Sequence, residues 1–314
     1  MTHVVPQRPT PGEAHMSPTR RRAVAPATTV AGLAFLLPVV IFIAIFLIVP
    51  LVRAAILSTQ DWTTRSFVTG EAPFIGFGNY LEIFADPDFA AVAWQTVVFT
   101  VVSLAVQYVV GLALAVFFTR RFPLSIVLRS LVLVPWLLPV VVSATTWRWM
   151  FHQDYGIINA GLFAGTDIGW ISTPQLALVA VIIANIWLGI PFNMVMLYGG
   201  LQNIPDTVYE AAAIDGATSW RSFISITMPL LWPVTAVTLL LGLVYTLKAF
   251  DIIWIITRGG PVNSSHTLAT WSYQWAFEGD RALGMGSAVA QILVVVALIF
   301  GLIYLRVVRR EANS

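Results

Sequence analysis

Two charged residues interrupt a long apolar stretch, Lys248 and Asp251, three positions apart between Pro233 and Ile256. On one continuous helix that spacing puts both on the same face. Inside a bilayer such charges are costly and pair with each other or line a polar cavity. Three chemistries follow from them: a structural ion pair, a polar rim on a solute path, or a proton relay. Around them stand groups that suit a solute with both polar and apolar faces, hydrogen-bonding side chains beside aromatic rings. Asn185, Gly189, Phe192 and Asn193 lie in one apolar run, and Tyr245 and Thr246 in the next. Each alone serves helix packing equally well, because small and polar groups also hold membrane helices together. Other chemistry finds no pattern. The chain has no cysteine, and His3, His15, His152 and His266 are scattered without metal-ligand spacing and read as loop residues. No G-x-S-x-G nucleophile context is present. Lys248 is the only lysine, and no glycine-rich loop precedes it, so the chain has no P-loop for ATP. No catalysis, cofactor or metal is expected of this chain itself.

The elements that must position these residues are membrane helices. Hydrophobic residues make up 58% of the chain and charged residues 10%, with a mean hydropathy of +0.83. A soluble domain carries about 25% charged residues to keep its surface wet. Apolar runs at about 30–52, 94–118, 126–150, 176–198, 233–256 and 284–307 predict six spans, each near the ~20 residues that cross a bilayer. A signal peptide competes for the first, but the run exceeds a signal's apolar region and further spans follow. Pro38, Pro135, Pro139 and Pro191 fall within or near span interiors, where neighbouring helices can re-satisfy the freed carbonyls. Residues 1–29, rich in Pro, Thr and Arg, are expected to form a disordered tail, and 308–314 a second, short tail. The basic residues sit at span ends, so the pI of about 9.1 reflects topology and not nucleic-acid binding. With the N-terminus inside, eleven arginines fall on inner segments and five on outer ones. That asymmetry puts both termini in the cytoplasm. Trp62, Trp94, Trp147, Trp149, Trp170, Trp271 and Trp275 lie near the expected interfaces, as an aromatic belt requires.

One inner segment, about 199–232, does not read as an ordinary loop. Ile204-Pro205-Asp206-Thr207 offers a helix start, Val208 to Ile214 a short Ala-rich helix, and Gly216 its end. Thr218 or Ser219 can cap a second helix through Trp220, Phe223 and Thr227, expected to stop at Pro229. Such a pair can simply lie in the headgroups with Val208, Ile214, Trp220 and Phe223 buried there.

The residues themselves add more. Glu210-Ala211-Ala212-Ala213-Ile214-Asp215-Gly216-Ala217, followed by Ile226-Thr227-Met228-Pro229, resembles the EAA loop of binding-protein-dependent ATP-binding-cassette importer permeases. Phe74-Ile75-Gly76-Phe77-Gly78-Asn79-Tyr80, Asn185 to Pro191, and Phe250-Asp251-Ile252-Ile253 with Thr257 to Pro261 are similar to three further motifs of the maltose-type sugar permeases, in the family's order. The resemblance covers nearly all the chain after residue 30. It implies an all-α membrane protein of six transmembrane helices in the type I importer permease architecture. It also implies a coupling loop in which Glu210, Ala211, Ala212, Asp215, Gly216, Ser219 and Phe223 meet a cytoplasmic ATPase subunit. Asn185, Gly189, Phe192, Tyr245 and Thr246, with Lys248 and Asp251 beside them, are then the candidates for a sugar path. The implied partners are a second homologous permease, two ATPase subunits that bind ATP and magnesium, membrane lipid, and an extracytoplasmic sugar-binding lipoprotein. The expected place is a bacterial plasma membrane, and the sugar a disaccharide such as trehalose or maltose. An ion-gradient-driven secondary transporter is the rival; it would run without partner proteins, and many show an inverted repeat, which the sequence lacks.

Overall fold

In hydrocarbon a backbone has no water to bond, so an apolar run must satisfy its own N–H and C=O groups by coiling into a helix. The computed structural model describes residues 26–120, 122–278 and 282–311. Most of the expected N-terminal tail, with Arg20 to Arg22, and residues 312–314 lie outside the described residues. The chain divides into two compact units, 1–51 and 52–314. In the first, α1 (Pro26–Ile43) passes through a π-helical turn at Ala44–Ile48 into α2 (Val49–Leu57), whose later residues belong to the second unit.

In the second unit, α3 (Thr64–Thr69) and α4 (Gly78–Ala85) lead to the long α5 (Phe89–Thr119). The helices α6 (Ser125–Leu137) and α7 (Val140–Met150) precede α8 (Pro174–Gln202). Short α9 (Asp206–Ile214) and α10 (Ser219–Ser222) lead through a second π turn, Phe223–Thr227, into α11 (Met228–Leu247). Then come α12 (Asp251–Ile256), α13 (Leu268–Phe277) and α14 (Leu283–Glu311). Among the described residues, five helices are long and apolar enough to cross a membrane, and α6 with α7 makes a sixth crossing if the bent pair is one span.

Three expectations about these elements need correcting. The third run is not one straight helix: α6 and α7 meet at an angle of 96°. Leu138, held extended at φ −77° and ψ 141°, precedes Pro139, whose ring clashes with a helical residue before it. The fifth run ends at Leu247, and Asp251 opens a separate helix after the break at Lys248–Phe250. Packing decides this, since α12 buries Ile252, Ile253 and Ile256 in a cluster with Phe99, Ala144 and Val181. Finally, the second helix of the 199–232 segment does not stop at Pro229. The wide π turn takes up the clash between the proline ring and the carbonyl four residues back, and the helix runs on into the membrane. The π turn at Ala44–Ile48 stands in the same relation to Pro50.

A clasp on one side of the second unit explains the motif at residues 74–80. The strand-like pairing of Gln60 with Phe74 brings the two segments together. The buried Asn79 then donates through Nδ2 to the carbonyls of Ser58 at 2.9 Å and Gln60 at 3.0 Å. Tyr80 donates to Ser58 Oγ at 2.8 Å, and Gly284 of α14 donates its N–H to the Trp62 carbonyl at 3.1 Å. Asn79→Ala leaves two carbonyls without their donor, a loss of about 1–3 kcal/mol. The variant is expected to melt several degrees below wild type in detergent, whereas Phe77→Ala, at a side chain 74% exposed, should not. Equal melting of the two variants would remove the clasp from the account.

Candidate functional site

Residues 203–227 build a projecting corner from local rules. Asp206 in the first turn of α9 complements the helix's positive end. Ala212 is buried, and the Tyr209 hydroxyl bonds that of Thr227 at 2.9 Å, so this face of α9 is held against the start of the fifth membrane helix. At the other end the Gly216 N–H donates to Ala213 O at 3.1 Å and the Ala217 N–H to Ala212 O at 2.9 Å. These two bonds make a Schellman cap, which needs a left-handed residue, and Gly216 has φ +77°. The Arg221 N–H donates to Thr218 Oγ1 at 3.4 Å to start α10, and Trp220 stacks on Phe223 with centroids 5.8 Å apart. Beneath the corner lies a cavity of about 550 Å³, lined by Thr119, Tyr209, Ser222, Phe223 and Thr227 among others.

The corner sorts the expected contact residues into two groups. Glu210, Ala211, Asp215 and Gly216 are exposed, whereas Ala212 is buried, and Phe223 and the exposed Ser219 line the cavity. A helix turns by 100° per residue, so Ile214, two residues beyond buried Ala212, projects from the opposite side. Glu210, one turn earlier, shares that side. Ile214 is 87% exposed and Trp220 70%. Val208, on the half-buried side, does not share a face with Ile214, so a single stripe lying in the headgroups is not what the segment presents.

The residues proposed for a solute path also separate. Asn185, Gly189 and Asn193 lie in the contact between α5 and α8. Gln107 Nε2 donates to Asn185 O at 2.9 Å, and Asn193 Nδ2 donates to Gly189 O at 2.9 Å. A Cβ at Gly189 would come within 2.2 Å of the Gln107 side chain. Thr246 is buried and bonds its own helix through Gly242 O at 2.8 Å. Phe192, Tyr245, Lys248 and Asp251 keep exposed surface. Lys248 and Asp251 stand on either side of the break, not on one helix face, and no ion pair joins them among the described residues. Lys248 Nζ lies 5.0 Å from the centre of the Tyr245 ring. Tyr245 in turn meets Phe192 edge to face at 5.8 Å, and Phe192 meets Trp136 at 6.1 Å. Trp136 is the member that sequence reasoning missed, because nothing local says which ring of α6 reaches α8.

Beyond the break, the 257–267 loop is tightly tied. Ser265 Oγ donates to Gly260 O at 2.7 Å and lies 2.8 Å from Thr257 Oγ1. His266, expected to be an ordinary loop residue, is buried, with Nδ1 3.0 Å from Thr270 Oγ1. Gly259, at φ +78°, leaves room for its ring, which a Cβ would meet at 2.1 Å. Burial lowers its pKa from 6.5 to about 4, against a raising influence of Asp88, so it is neutral at physiological pH. The described residues hold no group of three His, Cys, Asp or Glu side chains placed for a metal.

Residues 107–313 match the family of binding-protein-dependent transport system inner membrane components, a stretch that holds the 96° bend, the corner at Gly216 and the break at Lys248. The chain belongs to that family. Among its relatives is the trehalose/maltose transport system permease protein MalF of Thermococcus litoralis, 36% identical over 280 residues, 88% of this chain and 93% of that protein. Another is the diacetylchitobiose uptake system permease protein DasB of Streptomyces coelicolor, 32% identical over 94% of this chain and 92% of its own. The fold is similar to that of a chain in the bacterial alginate ABC transporter crystallised with an alginate pentasaccharide-bound periplasmic protein. That likeness has a TM-score of 0.78 at 22% identity, over 92% of this chain and 97% of the other. This permease is therefore a multi-pass inner-membrane protein.

Proposed function

We propose that this permease forms half of a sugar path, paired with a second homologous permease and driven by ATP hydrolysis on two separate ATPase subunits that dock on the corner at Glu210–Phe223. Both termini are cytoplasmic in this reading, and an extracytoplasmic binding protein delivers the sugar, a disaccharide of the trehalose or maltose kind. Closure of the ATPase subunits pushes the corner, and the continuous helix from Ser219 to Leu247 carries the push to the membrane interior. The observation that carries the proposal is the Schellman-capped corner. Its Glu210, Ile214 and Asp215 are exposed, while Ala212 and Tyr209 tie it to the core. Relatives named for trehalose, maltose and diacetylchitobiose transport support the substrate class. A secondary transporter would have no use for such a corner.

The absence of native cysteine permits a clean test. A single cysteine introduced as Asp215→Cys is expected to react with a membrane-impermeant maleimide in inverted vesicles and not in intact cells. Co-expression of the ATPase subunits should slow that reaction. Labelling from outside intact cells would place the corner beyond reach of any ATPase and end the reading.

A further inference from the structure

Arg129 carries a charge that nothing in the described chain answers. It stands in the second turn of α6, about 6 Å along the helix at 1.5 Å per residue, beside the ends of α5 and α8. Its guanidinium carbon lies 4.1 Å from the centre of the Tyr198 ring and 5.6 Å from that of Phe118. Nη2 donates to the Phe118 carbonyl at 3.3 Å. The buried Nε has no hydrogen-bond partner, and no carboxylate pairs with the group, among the described residues. Arginines near the ends of membrane helices ordinarily extend their stems and hold the charge in water. This one is folded back against two rings. Its surroundings add positive charge, not negative. The N-terminal end of α6 is itself positive and has no side-chain cap, and the exposed Arg120 follows the bonded carbonyl by two residues.

The partner that completes such a group is an anion whose oxygens meet a planar fork, a carboxylate or a phosphate. The neighbouring side chains decide between them. Ile126, 77% exposed, and Val127 and Leu131 lie within three residues of Arg129 on α6, and exposed Phe117 adjoins Phe118 on α5. These apolar groups on membrane helices need hydrocarbon around them. A phospholipid supplies both at once: acyl chains for these side chains, and a phosphodiester at the level of the helix ends, where Arg129 stands. Tyr198 adds a second donor. Its oxygen accepts from Gln202 Nε2 at 2.7 Å, which leaves its own O–H free to donate. Basic pockets between membrane helices take anionic headgroups for the same reason. We propose that Arg129 and Tyr198 bind the phosphate of one anionic phospholipid, of the phosphatidylglycerol kind, seated where the ends of α5, α6 and α8 meet. The site lies apart from the solute path and from the corner at Gly216, and it does not depend on which solute is carried.

The test uses the full-length protein purified from membranes in mild detergent, with whatever subunits accompany it. Native mass spectrometry counts bound lipid as phosphatidylglycerol is titrated, and a melting curve is taken at each step. Wild type is expected to retain one phosphatidylglycerol more tightly than the rest and to melt several degrees higher with it. Arg129→Gln should weaken that retention tenfold or more and lose the shift. Arg129→Lys, which keeps the charge without the fork, should fall between them. Arg306→Gln, at an exposed arginine near the end of α14, should retain the lipid as wild type does. Melting before lipid is added controls for folding, and the lysine variant carries the comparison should glutamine unfold the protein. Equal retention by wild type and the Arg129 variants overturns the proposal. So does a melting shift of the same size from phosphatidylcholine or from inorganic phosphate, which would make the ligand any phospholipid or a soluble anion. Loss of the accompanying subunits from Arg129→Gln at unchanged lipid retention also overturns it, because the guanidinium would then pair with a protein carboxylate.

Discussion

Gly216→Pro is expected to lower ATP-driven uptake by a hundredfold or more while the protein still inserts at normal yield. Gly216 closes the corner at φ +77° with its N–H on Ala213 O. Proline fixes φ near −65° and has no N–H, so it removes both the turn and one bond of the cap. The membrane helices do not depend on that turn, because a Cβ placed at Gly216 meets nothing within 4 Å. For the same reason graded replacements separate conformation from contact. Asparagine tolerates the left-handed region and should transport best, and alanine, at a cost of about 1–2 kcal/mol, should fall between asparagine and proline. Uptake and sugar-stimulated ATPase activity in the reconstituted complex, with yield as the control, check the series. Proline transporting at the wild-type rate would show that the corner couples nothing.

The other large effect is expected at Gly111, inside the membrane. A Cβ there would sit 2.5 Å from the Asn193 Cβ and 3.0 Å from the Met194 backbone nitrogen, in the contact between α5 and α8. Membrane helices gain their adhesion from close backbone approach at small residues, so leucine at this point wedges the pair apart. Overpacking of this kind costs about 1–3 kcal/mol when side chains can yield. Here the obstacle includes backbone, so the loss should be at the upper end or beyond. Gly111→Leu should reduce monodisperse protein in detergent at least tenfold. Gly199→Leu, near the C-terminal end of the same α8 with open space around it, should leave the amount unchanged. Equal recovery of the two variants would mean that α5 and α8 are not held by that approach. The pairing also accounts for Gly189, whose small size leaves room for the Gln107 side chain of α5.

How much of this was legible beforehand follows from how far each determinant reaches along the chain. The apolar runs marked the crossings because hydropathy over ~20 residues is a local property that the bilayer reads directly. The corner was equally legible: Pro205, Asp206, Gly216 and Thr218 act within one or two helical turns, and each stands where its chemistry placed it. Pro135 and Pro139 marked a disturbance in the third run, but not the 96° between its halves.

What depended on distant partners could not be read this way. Nothing around residue 248 ends a helix by itself; the break exists because α12 gains more by burying its isoleucines against α7 and α8 than by prolonging α11. Residue type alone could not divide Asn185, buried where α5 meets α8, from Phe192, matched to Trp136 and Tyr245. His266 looked like a loop residue because its cover comes from Gly259 folding back over it. Short-range terms thus set where this chain coils and turns. Which side chains are hidden and which remain open to a solute was decided by contacts between segments far apart in sequence, whose energies exist only once the helices have met.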